Sequence, residues 1–504
     1  MDKLKFKASI LELIRRNSAF LPRDVENVLA MKKKLEKAGS KADFALDLVM
    51  QNIGMAKNRS LPICQDTGLL NFYVKCPVGF DQITLQEAIE EAVVDATKKG
   101  YLRQNSVDSL TGKNSGTNLG PGSPVIKFVQ TRDENLDIRL IQKGGGCENM
   151  SAQYKLPGEF NGKKFGRDLE GVRACILDAV YQAQGKGCSP GFLGVSIGGD
   201  RASSYEWAKY QLLRDVDDAS PNPELAQLEE KIMQQGNELQ IGPMGFGGKL
   251  TIGCCKIGLR NRLPACFFVS IAYMCWAYRR RGFVLDQKGD VVEWLYQAPD
   301  EFTKSVDFPD TFEVPAGEMK VLNTPISEKE IRSLKVGDIV LITGTIFTGR
   351  DAVHKYLYDG GELDPIKNGV IYHCGPVILK ENGIYKTMAA GPTTSIREEP
   401  YQGDVIKNFG IKAVIGKGGM GAKTLDACEK YGAVYLHAIG GAAQIYAQCV
   451  KKIPNVYLEQ FGSPEAVWEM QVEGFPAVVT MDSHGNSLHK EIQDLSNDKL
   501  KQML

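Results

Sequence analysis

Pro62-Ile63-Cys64-Gln65-Asp66-Thr67-Gly68 sets a thiol, an amide and a carboxylate in consecutive positions and closes on a glycine. A turn there points the thiolate and the carboxylate into one small space. Thiolate sulfur is a soft ligand suited to zinc or to an iron–sulfur cluster. A carboxylate beside a metal is a natural acid or base. Alone the run says little, because an unpaired cysteine is more often a small buried hydrophobe. Two distant cysteines complete the pattern. Cys188 lies in Gly185-Lys186-Gly187-Cys188-Ser189-Pro190-Gly191, where glycine and proline on both sides predict a sharp, exposed turn. Cys275 ends the apolar run 264–275, read as a buried strand that delivers its thiol at the C-terminal end, where α/β proteins place ligand sites. Three thiolates without a fourth is the arrangement of a [4Fe–4S] cluster with one open iron, a Lewis acid toward a substrate hydroxyl and carboxylate.

The second half of the chain supplies cations beside glycines. Arg350 stands in Thr348-Gly349-Arg350-Asp351, Arg397 in Gly391-Pro392-Thr393-Thr394-Ser395-Ile396-Arg397, and Lys417 in Gly416-Lys417-Gly418-Gly419-Met420-Gly421. Guanidinium forks clamp carboxylates bidentately. Singly, each arginine reads as a solvated surface charge; together they outline a dicarboxylate pocket facing a metal cluster. Two motifs are decoys. Residues 416–421 satisfy the dinucleotide-binding glycine pattern, but the next strand ends in Leu436-His437-Ala438-Ile439 and lacks the acid that would hold a ribose. Gly194-Val195-Ser196-Ile197-Gly198 satisfies the nucleophile-elbow pattern, but all five histidines (354, 373, 437, 484, 489) fall in the second half.

The elements that must position these residues follow from periodicity. Residues 22–58 read as two amphipathic helices, with Val25, Val28 and Leu29 on one face and Ala45, Leu48, Val49 and Ile53 on the other's. Residues 86–99 and 168–184 read as helices, and 200–240 as charged helix. A long irregular segment, 103–124, is of a length that is usually functional. Strand-like runs at 125–130 and 136–141 lead to Lys143-Gly144-Gly145-Gly146, whose glycines let backbone approach a ligand. Beyond 319 a buried strand at 336–342 runs through Arg350 into a helix. A unit at 413–439 reads strand, turn, helix, strand, which implies a parallel pair. The expected class is mixed α/β in two domains, 1–285 and a smaller β/α unit at 319–504, joined by a proline- and acid-rich linker at 286–318.

Composition bounds the rest. The 504 residues exceed one ordinary domain, and 61 basic against 61 acidic side chains favour neither nucleic acid nor an anionic membrane as partner. The 12 cysteines contain no CxxC pair, against a zinc ribbon or thioredoxin motif. The N-terminus lacks an apolar core and the run 263–278 is short for a bilayer. These features predict a soluble protein of the reducing cytoplasm.

At these residues the chain resembles the class I, iron–sulfur fumarate hydratases and the related tartrate dehydratases, over roughly residues 20–490. The matching motifs are Cys64-Gln65-Asp66-Thr67-Gly68, Asn114-Ser115-Gly116-Thr117-Asn118, the Lys-Gly-Gly-Gly at 143–146, Cys188-Ser189-Pro190-Gly191, Thr348-Gly349-Arg350-Asp351 with His354, Gly391-Pro392-Thr393-Thr394 with Arg397, and 416–421. Their combined order is specific although each alone is not. The resemblance implies a fused form of proteins that some relatives carry as two subunits, a swivel-like second domain and a homodimer. It implies that Cys64, Cys188 and Cys275 ligate the cluster, and that Gln65, Arg103, Gly145, Gly146, Arg350, Thr394, Arg397 and Lys417 hold a C4 dicarboxylate. Thr393 would take the C3 proton of malate and Asp66 would assist loss of the hydroxyl. Fumarate and L-malate are the implied substrates, with tartrate and mesaconate as rivals and a non-catalytic iron–sulfur sensor as the reading from another class. The chain departs from its relatives at Gly258-Leu259-Arg260-Asn261-Arg262-Leu263-Pro264, which lacks a Thr-His pair. It also has Cys147 and Met150 where they have Ser and Lys.

Overall fold

Ser40 opens the helix that leads to the first cysteine. Its hydroxyl accepts from the Asp43 N–H, and the helix Lys41–Arg59 follows. Leu48, Val49 and Ile53 on its inner face are buried, each contributing about 1.5–3 kcal/mol. The helix stops where Ser60 turns left-handed at φ 53°, and Pro62 prevents its resumption. The chain is thereby aimed at Cys64. The computed structural model describes residues 2–297, 312–314 and 318–504 of this mixed α/β, two-domain protein. Most of the stretch read as a linker lies outside the described residues; within it, Val291–Leu295 forms a strand.

The N-terminal half carries two larger sheets and a short hairpin, Gly158–Phe160 with Lys163–Phe165. In the first, strands run in the order Val291–Leu295, Arg279–Leu285, Leu136–Lys143, Leu69–Pro77, Val125–Thr131. Helices Lys3–Ala19 and Gln82–Lys98 cover it through Phe6, Ile10, Leu13, Ala88 and Ile89, packed on Phe72, Leu140 and Phe283. The second sheet has the order Ala152–Lys155, Phe268–Met274, Gly191–Ile197, Ile252–Leu259. It is covered by the helices Leu169–Ala183 and Pro223–Glu238 through residues such as Val172, Ile176, Leu228 and Ile232. Its middle strands are buried on both faces, hence their near-continuous apolar sequence. The sequence pattern does not announce helix Lys3–Ala19: its five lysines and arginines hide the Phe6, Ile10, Leu13, Ile14 stripe.

In the C-terminal half the parallel neighbours Ile339–Thr348, Val370–Tyr372, Ala413–Gly416 and Val434–His437 lie side by side. The long strand Val467–Met481 pairs antiparallel with both the last and the first of these. These five strands therefore close on themselves as a small barrel, with Met319–Asn323 and Val450–Lys452 added as edge strands. Helices Asp351–Tyr358, Glu399–Phe409 and Ala422–Tyr431 pack outside it. The parallel pair expected at 413–439 is the Ala413–Gly416 and Val434–His437 pair.

The halves meet through polar contacts inside an apolar core. Trp276 Nε1 donates to the Gly440 carbonyl at 2.7 Å, Gln65 Nε2 to Pro392 O at 2.9 Å, and Gln444 N to Asn52 Oδ1 at 2.7 Å. The Gln65–Pro392 bond joins the motif at 64–68 directly to the one at 391–394.

Candidate active site

Gly68 makes the first turn possible. Its φ is +80°, and a methyl group there would lie 2.7 Å from the Lys143 backbone. Gly144 does the same on the facing strand end: a methyl on it would stand 2.9 Å from Asp66 Oδ2. Two glycines thus let the Asp66 carboxylate lie directly against the short helix Gly145–Asn149.

A cavity of about 490 Å³ opens at this point between the halves. Gln65, Asp66, Arg103, Gly145 and Gly146 line it from the N-terminal half. Arg350, Thr393, Thr394, Arg397 and Lys417 line it from the C-terminal half. The structure therefore brings together every non-cysteine residue singled out from the sequence. Burial alone would raise the Asp66 carboxyl, but Arg103, Arg279 and Lys417 outweigh it and hold it below the usual carboxylate range. Arg103 reaches Asp66 at 3.5 Å and donates across the junction to the Gly375 carbonyl at 2.9 Å. On the opposite wall Arg397 Nη2 donates to Thr393 Oγ1 at 3.0 Å. Resident carboxylates hold the guanidinium groups: Asp351 lies 3.3 Å from Arg397, and Glu465 lies 3.2 Å from Arg350.

The three cysteines lie behind this wall rather than on it. Cys64 Sγ is 3.4 Å from Gln65 Oε1, and Lys417 Nζ donates to Cys188 Sγ at 2.8 Å. Burial pushes the Cys64 thiol up to about 11, partly offset by Arg279. The turn at Cys188 is present, with φ +51°, but it is not exposed as its sequence suggested. Cys188 is 3% exposed, because Lys417 covers it and a methyl on Gly440 would come within 2.3 Å of its sulfur. The cover comes from the other half of the chain, which local sequence does not reveal.

The donor set fits an iron–sulfur cluster. The thiols of Cys64, Cys188 and Cys275 interact electrostatically with one another and with Lys417, so they share one space. Arg279 is 2% exposed, donates through Nη2 to the Asp66 carbonyl at 2.8 Å, and keeps Nε and Nη1 buried without a partner. Those free donors suit a sulfide-rich, electron-rich group. Among the described residues no three His, Cys, Asp or Glu side chains converge to grip a single metal ion. A cluster is wider than an ion, and its thiolates stand correspondingly further apart. Cys147 is hydrogen-bonded to Cys275, which pulls the Cys147 thiol down and pushes the Cys275 thiol up.

Several lining residues received no role in the sequence reading. Lys143, almost fully buried, donates to Glu148 Oε2 at 3.0 Å and Ser151 Oγ at 2.9 Å. Burial would raise the Glu148 carboxyl, but Lys143 and Lys209 bring it down to about 2. The place of Lys143 immediately before three glycines was the available signal. Asn105, Asn118 and Ser123 reach the cavity from the irregular 103–124 segment, and Met150 from the position that departs from the relatives. Ser196 of the elbow-like decoy is buried in a central strand, and its hydroxyl has no partner.

Comparison with known proteins agrees with this site. Residues 7–284 match the family model described as fumarate hydratase (Fumerase), and residues 289–492 match the fumarase C-terminus. The chain is 54% identical over 505 positions to a Geobacillus stearothermophilus protein provisionally named fumarate hydratase class I, covering 99% of this chain and 98% of that one. Two Methanocaldococcus jannaschii proteins provisionally named L(+)-tartrate dehydratase subunits match as well. The beta subunit is 41% identical over 36% of this chain and 95% of its own length; the alpha subunit is 33% identical over 55% and 96%. The chain is also 26% identical to the mitochondrial fumarate hydratase 1 of Leishmania major, over 88% of this chain and 82% of that one. With both family models matched in order along one polypeptide, the chain belongs to the class I fumarate hydratase family of hydro-lyases.

Proposed function

We propose that the protein interconverts fumarate and L-malate in the cavity between its halves, with a [4Fe–4S] cluster held by Cys64, Cys188 and Cys275. The observation that carries the reading is the pairing of a cation-held carboxylate, Asp66, with a guanidinium-bonded hydroxyl, Thr393, in one cavity lined by five cationic side chains, Arg103, Lys143, Arg350, Arg397 and Lys417. When bound, the cluster supplies an open iron that acts as a Lewis acid toward the substrate's hydroxyl.

The chain's own residues do the rest. Arg103, Arg350, Arg397 and Lys417 bind the two carboxylates of a C4 dicarboxylate, with Gln65, Thr394 and the N–H groups at Gly145 and Gly146. Thr393 Oγ1 takes the C3 proton of malate. A free threonine hydroxyl is a poor base, and the Arg397 N–H at 3.0 Å stabilises its alkoxide. Proton loss at C3 spreads negative charge onto the adjoining carboxylate, where the cations bind it more strongly than in the ground state. Asp66 assists departure of the C2 hydroxyl. The cavity lies across the junction of two domains, so their closure excludes water. We place the boundary between a cluster-binding domain, 1–285, and a substrate-clamping domain, 319–504, in the 286–318 stretch.

L(+)-tartrate is the second reading, favoured by the matches of both halves to proteins named for it. Parallel assays on anaerobically prepared protein separate the two. Fumarate loss in the ultraviolet, with little dehydration of L(+)-tartrate, is the expected result. Tartrate turnover with inert fumarate would reverse the assignment.

A further inference from the structure

Behind the C-terminal wall runs a buried chain of polar groups that the proposed chemistry does not use. His354 Nδ1 stands 2.9 Å from the Arg350 carbonyl, and its Nε2 stands 2.9 Å from Gln402 Oε1. His373 Nε2 stands 2.8 Å from the same oxygen, and its Nδ1 stands 2.8 Å from Ser395 Oγ. Tyr435 OH lies 2.9 Å beyond Ser395. His354, Gln402, His373 and Ser395 are all fully buried.

The proton count of this chain is wrong with the amide oxygen facing the rings. A backbone carbonyl only accepts, so His354 must carry its proton on Nδ1. Burial keeps the ring neutral, leaving a lone pair on Nε2 that would face the lone pairs of Gln402 Oε1. Meanwhile Gln402 Nε2 is buried with no partner. A half-turn of the amide removes the facing lone pairs and gives both amide hydrogens an acceptor, since one NH2 group has two hydrogens for two ring nitrogens, and leaves the oxygen in place of the unpartnered nitrogen. Donation then runs outward in both directions. One branch goes from Gln402 to His354 to the Arg350 carbonyl. The other goes from Gln402 to His373 to Ser395, whose Oγ also accepts from Tyr435 OH.

We propose that Gln402 is a positioning residue whose amide nitrogen donates to Nε2 of both His354 and His373, fixing the segments that carry Arg350 and Thr393. The backbone shows how. The His373 carbonyl accepts from Thr393 N at 2.7 Å, Ser395 N donates to the Lys417 carbonyl at 3.0 Å, and Lys417 N donates to Thr393 O at 3.2 Å. A methyl on Gly416 would fall 1.8 Å from Ser395 Oγ, so nothing separates the network from the Lys417 turn. One amide therefore sets the register of three segments that converge on the cavity. Its effect on turnover rests on the fumarate reading; the arrangement of hydrogens does not.

Nitrogen NMR on histidine-labelled wild-type protein tests the arrangement, and a chain with five histidines keeps the spectrum tractable. Both His354 and His373 are expected as neutral Nδ1–H tautomers. An Nε2–H tautomer or an imidazolium at either one overturns the proposal, whether or not fumarate is a substrate. Glu at 402 supplies the second test, because a carboxylate keeps an acceptor and removes the donor. Gln402→Glu is expected to lower kcat/KM for fumarate at least about tenfold, the cost of leaving buried groups mispaired. KM rises through Arg350 and kcat falls through Thr393. A folded Gln402→Glu protein with wild-type kinetics would show that the oxygen faces the rings and would refute the proposal. Should that variant not fold, the wild-type spectrum alone decides.

Discussion

Replacing Arg397 by methionine tests the proposed base most sharply. The guanidinium makes two contacts on the cavity side: Nη2 donates to Thr393 Oγ1 at 3.0 Å, and it lies 3.3 Å from Asp351. Loss of a preorganised donor to a developing oxyanion costs about a hundredfold to a thousandfold in kcat, or about 3–4 kcal/mol. Loss of its hold on a substrate carboxylate adds about 1.5–3 kcal/mol to binding, which appears in KM. Thr393→Ala removes the proton acceptor itself and costs about a hundredfold to ten-thousandfold in kcat. If Arg397 acts on kcat through the Thr393 hydroxyl, the two losses are not additive. In the Thr393→Ala background, Arg397→Met then lowers kcat by well under tenfold while still raising KM. Initial rates of fumarate hydration in the four proteins, at equal iron content, provide the cycle. A fully additive kcat loss would refute the pairing, and unchanged kcat in Thr393→Ala would remove that residue from the mechanism.

Three further outcomes follow from the same geometry. A methyl at Gly375 would lie 2.6 Å from Arg350 Nη1 and from the Pro464 carbonyl, so Gly375→Ala displaces the guanidinium and raises KM more than it lowers kcat, as steady-state kinetics will show. Burial raises the Glu398 carboxyl to about 8, and neither of its oxygens has a partner, whereas an unfolded glutamate ionises near about 4.3. Between these values the folded chain holds a proton that the unfolded chain lacks, so stability falls as pH rises through the window. Glu398→Gln therefore melts higher than wild type at pH 8, and the gap closes on approach to pH 4. Arg280 is fully buried and paired with Asp24, so Asp24→Ala strands a buried charge and costs about 3–5 kcal/mol, read as a lowered denaturation midpoint.

The sequence showed which residues to gather but not what surrounds them. Glycines around Asp66, Arg350 and Lys417 mark turns because their reasons are local: a left-handed φ at Gly68, and a missing Cβ at Gly144. Helices with a single apolar face, such as Lys41–Arg59, are legible for the same reason. Burial imposed by a distant segment is not. Arg279-Arg280-Arg281 is a run of three cations whose environment local sequence does not reveal, and all three are buried. Their strand lies between Val291–Leu295 and Leu136–Lys143, and partners at Asp24, Leu21 and Asp66 receive them. Cys188 was read as exposed because its cover, Lys417 and Gly440, lies more than 220 residues away. The His354–Gln402–His373 network combines three segments with no shared motif, so only the fold assembles it.

The most direct test of the proposed function is ultraviolet loss of fumarate by anaerobically purified protein, with iron and sulfide counted on the same sample. Rapid fumarate loss with about four irons per chain, abolished by chelation and restored by iron, sulfide and thiol, is the predicted result. A full cluster with no fumarate loss would contradict the substrate assignment. Fumarate loss without iron would contradict the roles given to Cys64, Cys188 and Cys275.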